Sequence, residues 1–490
     1  MKSSLKKYYD VINSVAVIGN YLPRQCGIAT FTTDLISALS NEAPEINSWS
    51  VVMNDQPEGY NYPDKVRFEI NQNILSGYSV AAEFLNLSQP DIVSVQHEFG
   101  IFGGPAGSHL LKLLGELRMP IVTTLHTVLK NPEPDYREVM LRLVDLSDKL
   151  VVMSHKAFRI LQEVYNVPQE KIVFIHHGIP DLPFIDPNFY KEKFAVEGKK
   201  VLLTFGLLSP NKGIETVLQA LPKVVEKHSD VAYIILGATH PHVLKSRGEE
   251  YRISLQQLVR KLDLRDHVIF QNRFVEMETL SEFLGVADIY ITPYLEEAQI
   301  TSGTLAYAMG TGKAVISTPY WYATEMLDEG RGIIVPFNDP DAMAKQIIHL
   351  LDNETERHTL RKKAYTFCRE AIWKEVARQY LQVFSDVRGQ RANNPRPYHL
   401  YKQNVIAITK FDIPPVKLDH LKTMTDDTGI FQHAIITLPN LDHGYCTDDV
   451  ARGLVVSTMG KKHLINNTAL FESLSNRFLS FLQYAFNTDT

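Results

Sequence analysis

Gln299-Ile-Thr-Ser-Gly-Thr-Leu-Ala-Tyr-Ala-Met-Gly-Thr-Gly-Lys-Ala-Val-Ile-Ser-Thr318 passes through three kinds of backbone in succession. It opens as a small-residue polar loop and enters a helix-compatible block at Leu305, Ala306, Ala308 and Met309. It then breaks at Gly310 and Gly312 and ends as an apolar strand. A loop feeding a helix N-terminus leaves backbone N–H groups without intrahelical partners, and these form an anion site. Ser302 and Thr304 add hydroxyl donors there, and Gly303 admits close approach to the backbone. A plain strand–loop–helix connection with N-capping hydroxyls accounts for the same residues. Under either reading, a helix followed at once by a short apolar strand is a unit of a parallel α/β sheet.

The same alternation extends both ways. Downstream of residue 198, strands are expected at Lys200–Phe205, Ala232–Gly237, Val268–Gln271, Ile289–Pro293, Ala314–Ser317 and Ile333–Pro336, with a helix at Ile214–Lys227. Upstream, strands are expected at Val15–Gly19, Ser50–Met53, Ile92–Gln96, Ile121–Leu125, Lys149–Met153 and Ile172–Ile175. Helices are expected at Thr30–Leu39, Ser108–Leu117, Tyr136–Leu146 and Lys156–Tyr165. Pro180, Pro183 and Pro187 interrupt the pattern and mark a linker. Two doubly wound Rossmann-like domains, 1–190 and 198–371, explain this better than one large sheet. The cleft between them is the expected active site. A helix follows at 372–390, with Val376, Tyr380, Val383 and Phe384 on one face. Arg388–Pro397 reads as a second linker, and 398–490 as a partial helical region.

The 490 residues, 44% hydrophobic and 22% charged, fit a multi-domain globular chain. A formal net charge of −6 argues against a general nucleic-acid partner. Three cysteines with no CxxC suit a reducing compartment. The first ten residues lack an apolar signal-peptide core, and no apolar run has the length of a membrane span. A cytoplasmic location is the expectation.

Gly206-Leu-Leu-Ser-Pro-Asn-Lys-Gly213 follows the first strand of the second half, and Val286-Ala-Asp-Ile-Tyr-Ile-Thr-Pro-Tyr294 leads into the segment quoted first. With the tandem halves, these resemble a family 4 glycosyltransferase of the GT-B fold over residues 13 to 390. The resemblance implies transfer of a hexose, with mannose or glucose the guesses, from a GDP- or UDP-linked sugar to a carbohydrate or related hydroxyl. It further implies retention of configuration by a front-face route, without metal or other cofactor. The second domain would hold the donor and the first the acceptor. Lys212 matches the family lysine that neutralises the leaving phosphate, and His126 the histidine beneath the donor sugar; both are expected to be catalytic. Gly27, Gly206, Arg273, Gln299, Ile300, Thr301, Ser302, Gly303, Thr304 and Tyr307 are the remaining expected donor and phosphate contacts.

The chain departs from the family pattern at three positions. Leu207 stands where most members have arginine, and Arg273 is the candidate replacement. Gln299 and Tyr307 stand where most members have two glutamates, one near the donor sugar and one on the ribose; Glu296 and Glu297 are out of register. In the first half, Arg24 in the loop Gly19–Ile28, and His97 and Glu98 in Gln96-His-Glu-Phe99, are expected acceptor contacts. His155, His176 and His177 occupy strand ends with several uses open. Glu325 is either a donor contact or a helix cap. His240 and His242, separated by a proline, read as a loop and not as a metal site. In the tail, Thr425–His433 and Asp442–Asp449 resemble the start of an α/α-toroid carbohydrate-active domain, and the helical array that follows reads as unfinished at Thr490. Three readings follow: a retaining hexosyltransferase, a phosphorylase-like enzyme of the same fold using phosphate or a sugar phosphate, and a non-catalytic carbohydrate-binding protein.

Overall fold

Short runs of Val, Ile and Leu, flanked by glycine and polar loops, form two all-parallel sheets. The computed structural model describes residues 12–393, 416–464 and 467–486. The first sheet comprises β1 (Ser14–Gly19), β2 (Asn47–Asn54), β3 (Val66–Asn71), β4 (Ile92–His97), β5 (Ile121–Leu125), β6 (Lys149–Val152) and β7 (Ile172–Phe174). They are ordered β3-β2-β1-β4-β5-β6-β7. The second comprises β8 (Lys200–Phe205), β9 (Val231–Leu236), β10 (Val268–Gln271), β11 (Ile289–Thr292), β12 (Ala314–Ser317) and β13 (Ile333–Ile334), ordered β10-β9-β8-β11-β12-β13. Two strands buried on both faces, β1 and β8, stand at the points where strand order reverses. Loops diverge to opposite faces at such points and leave a crevice at the strands' C-terminal ends.

Each sheet is covered on both sides. One face of the first packs Trp49, Val51 and Val95 against Tyr78 and Leu85 of the helix Leu75–Ser88 and Leu113 of His109–Glu116. The other face packs Val15, Val17 and Val151 against Leu35 and Leu39 of the helix Gly27–Glu42. The long helix Trp373–Asn393 lies on that same face, burying Val376, Tyr380, Leu381 and Phe384. At about 1.5–3 kcal/mol per fully buried large apolar side chain, these contacts fasten the chain's return onto the first lobe. The Tyr380 hydroxyl shares a 2.8 Å hydrogen bond with Thr124 Oγ1, and Arg378 and Arg391 reach Glu42 and Asp148, each at 2.6 Å.

Two sequence expectations need correction here. Arg388–Asn393 is the last part of that helix and not a linker; residues 394–397 lie outside those described. Strand β3 and the helix Leu75–Ser88 were not anticipated, although Val66-Arg-Phe-Glu-Ile-Asn71 has the period-two pattern of an edge strand. The proline-rich stretch is extended but firmly held. Ile179 is fully buried, its N–H donates to Ala371 O, and its carbonyl accepts from Trp373 N, both at 2.9 Å. The two chain crossings between lobes therefore run side by side.

From residue 416 onward the described chain forms a separate body. The helices Thr447–His463 and Thr468–Ala485 pack through Val450, Phe471, Leu474 and Phe478. Gly453 and Gly460 give the rings of Phe478 and Phe471 room to lie against the first helix. Asp426 accepts hydrogen bonds from the N–H groups of Thr428 and Gly429 and from the Tyr445 hydroxyl, which organises the preceding loop. No helix among the described residues is long and apolar enough to cross a membrane.

Candidate active site

The loops after β8 and β11 flank the reversal point of the second sheet. Gly206 follows β8 at φ +134°, a region L side chains rarely adopt, and a Cβ there would lie 3.3 Å from Thr304 Cγ2 and 3.8 Å from Lys212 Nζ. Gly213 closes the Pro210–Lys212 turn at φ +59°, where a Cβ would strike Pro293 O at 2.2 Å. These two glycines let the turn fold back so that Lys212 Nζ sits 3.8 Å from the centroid of the Tyr294 ring. The Tyr294 hydroxyl shares a 2.7 Å bond with Thr304 Oγ1, and Ser302 Oγ lies 3.1 Å from the same atom. Burial works to raise the Tyr294 phenol, but the Lys212 ammonium and the hydroxyl bonds bring it below its ordinary value.

Ser302 is the N-cap of the helix Gly303–Gly310, its Oγ accepting from Leu305 N at 3.4 Å. The first intrahelical bond is Ala306 N to Ser302 O, so the N–H groups of Gly303 and Thr304 precede the ladder. A cation, two hydroxyls and a helix N-terminus thus meet around Gly206. That is an arrangement for phosphate oxygens.

The approach to this helix is pinned by its neighbours. Gln299 Nε2 donates to Thr301 O, and Trp321 N and Tyr322 N donate to the carbonyls of Glu297 and Gln299. The Ile300 side chain is buried in the core of the first lobe, so only its backbone remains to meet a ligand. Tyr307 corrects a sequence expectation. Its ring is 5% exposed and its hydroxyl donates 2.9 Å to Asp34 Oδ2 of the helix Gly27–Glu42, so it joins the lobes and does not face a donor. Burial raises the Asp34 carboxyl to about 6 even though the Tyr307 bond pulls it down. Arg273 is exposed at the end of edge strand β10, two strands from β8. No hydrogen bond or ion pair of its guanidinium ties it to the Lys212 loop among the described residues.

The first lobe presents histidines. His126 follows β5, its N–H bonded to His97 O at 3.0 Å, and its Nε2 lies 3.0 Å from Gln96 Oε1. An amide oxygen only accepts, so this bond puts the proton on Nε2 and leaves the Nδ1 lone pair free. Desolvation, aided by His177 and His97, lowers the His126 pKa to about 3, which keeps the ring neutral at physiological pH. Phe31 packs edge-on against both His126 and His177, with centroids at 4.8 and 5.1 Å.

His177, whose use the sequence left open, is brought to the site. Its Nδ1 donates to Gly178 O at 2.8 Å, and its Nε2 would lie 2.9 Å from a Cβ at Gly303. Gly303 therefore leaves space between that ring and the helix N-terminus. The signal for this was a strand-end histidine, identical in the sequence to several that do other things.

His97 is a second correction. Its ring has zero exposure, lies against Phe99 and Phe102, and has no hydrogen-bond partner; burial lowers its pKa to about 3. It packs beneath the cleft and is not open to an acceptor. Glu98 accepts from Thr127 Oγ1 at 2.6 Å and from Phe99 N at 3.0 Å, and burial raises its carboxyl. Arg24 is 9% exposed and bonded to Asn20 Oδ1 and Met53 O. Gly27 opens its helix with nothing within 4 Å of where a Cβ would stand.

Glu325 proves to be a cap, and of the opposite lobe's helix. Its carboxylate accepts from His155 N (2.8 Å) and Lys156 N (3.0 Å) at the start of His155–Tyr165. The His155 ring stacks on Phe174, and His176 packs edge-on against the same ring. His240 is the N-cap of a short helix, Pro241–Arg247, its Nδ1 accepting from His242 N. The proline there begins a helix where a loop was expected.

Two sequence-family profiles match this body in order. The one described as Glycosyltransferase Family 4 matches residues 27–181, and the one described as Glycosyl transferases group 1 matches residues 186–367. Among curated relatives, a phosphatidyl-myo-inositol mannosyltransferase of Mycolicibacterium smegmatis is 28% identical over 218 residues, 44% of this chain and 52% of that protein. An alpha-monoglucosyldiacylglycerol synthase of Streptococcus pneumoniae is 24% identical over 396 residues, 74% of this chain and 84% of that one. The chain thus spans about half the length of the first relative. A sucrose-phosphate synthase structure from Thermosynechococcus elongatus superposes with a TM-score of 0.63 at 16% identity, covering 77% of this chain and 100% of that one. An Anabaena protein solved with UDP and glucose gives 0.60 at 15% identity, with 76% and 99% covered. At such identities the likeness is one of fold. Both family profiles, in order, on two facing parallel-sheet lobes of GT-B architecture, establish that the chain belongs to the family 4 glycosyltransferases.

Proposed function

We propose that the protein transfers a hexose from a nucleotide-diphosphate sugar, GDP- or UDP-linked, to a hydroxyl of a carbohydrate acceptor, with retention and without a metal. The second lobe takes the donor and the first the acceptor. The observation that carries this reading is the convergence of Lys212 Nζ, Thr304 Oγ1, Ser302 Oγ and the N-terminus of Gly303–Gly310 around Gly206. Negative charge that develops on a departing phosphate is stabilised there by groups already in place. Neutral His126 offers a lone pair to a donor-sugar hydroxyl without adding charge. In the front-face route the C1–O bond to phosphate breaks as the acceptor oxygen bonds to C1 on the same face. The acceptor proton passes to the departing phosphate oxygen, so no protein carboxylate is needed as nucleophile. The relatives act, by their names, in mannosyl and glucosyl chemistry, which supports a hexose. The three cysteines are unpaired, which fits a cytoplasmic setting.

One observation favours a second reading. Position 307 carries no carboxylate, and its hydroxyl is committed to Asp34. A phosphorylase-like enzyme using phosphate or a sugar phosphate needs the same anion cluster and no ribose contact. Thermal-shift measurements with GDP, UDP, inorganic phosphate and glucose 1-phosphate separate the two. Stabilisation by a nucleotide is expected, and stabilisation by phosphate or sugar phosphate alone sinks the transferase reading. With a substrate in hand, Lys212→Ala should lower kcat about 10²–10³-fold, the scale of losing one group that stabilises a transition-state oxyanion. Undiminished turnover in that variant removes Lys212 from the chemistry.

A further inference from the structure

The loop after β7 carries the His177 ring across to the helix Gly303–Gly310, and the two meet at the end of the helix where the N–H groups are free. Gly178 O only accepts, so the 2.8 Å bond from Nδ1 fixes the proton there and leaves Nε2 with a lone pair. The residue is 7% exposed, and Nε2 makes no hydrogen bond among the described residues. It lies 2.9 Å from where a Cβ on Gly303 would stand. A Cβ is about 2.5 Å from its own backbone nitrogen, so Nε2 is within about 5.5 Å of Gly303 N. The arrangement holds a conflict. The free N–H groups of Gly303 and Thr304 and the Lys212 ammonium attract an anion, whereas an imidazole lone pair repels one. A proton on Nε2 removes the conflict, because an imidazolium donates through both nitrogens, to Gly178 O and to the anion.

Resting on the glycosyl-transfer reading, we propose that His177 is neutral in the empty cleft and takes up a proton from solvent when the diphosphate of a nucleotide sugar occupies the helix N-terminus, so that donor binding is proton-coupled. Burial lowers the pKa of the ring to about 4, which keeps it neutral at pH 7 before the anion arrives. The groups packed on it leave the choice of charge to the ligand. Phe31 and Trp373 bring no charge, and His126 is itself neutral. The Tyr307 ring faces it at 5.9 Å, with the hydroxyl committed to Asp34, a carboxyl that titrates near 6. An anion within reach of Nε2 raises the proton affinity of the ring about 10–10³-fold, which moves its titration toward neutrality. A diphosphate diester carries one negative charge on each phosphorus. Lys212 and a protonated His177 meet these with one cation from each side of the cleft, and the second cation exists only while the ligand is there. The competing use of Nε2, accepting a bond from a sugar hydroxyl, takes up no proton.

The test is isothermal titration calorimetry of the full chain with UDP-glucose and GDP-mannose, whose phosphates do not titrate between pH 5 and 8, in buffers of different protonation enthalpy. About 0.2–1 proton should be taken up per nucleotide sugar bound at pH 5.5 and about 0.1 or less at pH 8, with affinity weakening up to about thirtyfold over that interval. His177→Gln and His177→Asn should abolish the uptake, whereas His126→Asn and Asp34→Asn, which remove the other titratable groups beside the ring, should keep it. If neither His177 variant binds at either pH, wild-type uptake that survives His126→Asn and Asp34→Asn carries the assignment. Binding without proton uptake gives the lone pair to a sugar hydroxyl and overturns this inference alone, as does uptake that persists without His177 or vanishes with Asp34 or His126. Failure of both nucleotide sugars to bind the wild type refutes the transferase reading and this inference with it.

Discussion

Tyr307→Phe removes one atom and tests whether the lobes are latched by the bond it makes. The hydroxyl donates 2.9 Å to Asp34, a carboxyl that is itself only partly exposed, and Trp373 stands beside both. A hydrogen bond to a charged group contributes about 1.5–3 kcal/mol, so losing it should raise the population of open states roughly ten- to hundredfold. The effect depends on pH with a defined sign. Burial raises the folded-state Asp34 carboxyl to about 6 from an ordinary 3.8, so the proton is bound more tightly in the closed protein. That contribution is fully present below pH 3.8 and is lost as pH rises through 6, where the ionised group is most in need of the tyrosine. Tyr307→Phe should therefore cost more at pH 8 than at pH 5.

Hydrogen exchange of the Gly303–Gly310 and Gly27–Glu42 amides, corrected for intrinsic rates, reads this directly. The variant should exchange about ten- to hundredfold faster at pH 8 and less than tenfold faster at pH 5, where neutral Asp34 forms only an ordinary hydrogen bond. Asp34→Asn should flatten the pH dependence. In the double-mutant cycle the two substitutions should couple by about 1 kcal/mol or more, as residues in direct contact do. Unchanged protection in Tyr307→Phe, or a coupling of zero, refutes the latch.

Glu325→Gln weakens a cap that one lobe supplies to the other, and the start of His155–Tyr165 should lose about 1 kcal/mol of protection in the same exchange experiment, while Glu329→Gln nearby leaves it unaffected. Because the His126 pKa is lowered to about 3, the kcat profile between pH 5 and 8 should be as flat on its account in the wild type as in His126→Asn; an inflection near 6.5 that disappears in the variant contradicts a neutral His126. In the C-terminal body, a Cβ at Gly460 would come within 2.5 Å of the Phe471 ring, so Gly460→Val should overpack the helix pair by about 1–3 kcal/mol and lower its own thermal transition without altering nucleotide binding.

The two-lobed plan was legible because buried parallel strands are near-continuous apolar runs, and Lys200–Phe205, Val268–Gln271 and Ala314–Ser317 fall where those runs end. The anion cluster was legible for a related reason: Gly206, Lys212, Ser302 and Thr304 come from the two loops that a single strand-order reversal must bring together. What escaped was whatever one lobe does to the other. Nothing local to Tyr307 distinguishes a ligand contact from a hydroxyl aimed at a residue 273 positions away, and at Glu325 the choice between donor contact and helix cap stayed open because its partners lie 170 and 169 positions upstream. His97 escaped for the opposite reason, since a histidine between Gln96 and Glu98 reads as polar surface until Phe99 and Phe102 fold over it. The contacts between lobes share a consequence. Ile300, Tyr307 and Glu325 all belong to the second lobe, all contact the first, and all lie within or just beyond the segment that carries the anion cluster. Under the proposed function, the loop assigned to phosphate is shaped by the lobe assigned to the acceptor, so closing the cleft and completing the anion site would be one structural event. A substitution that loosens Tyr307 or Glu325 should accordingly weaken nucleotide binding as well as interlobe protection, although neither side chain need touch the nucleotide.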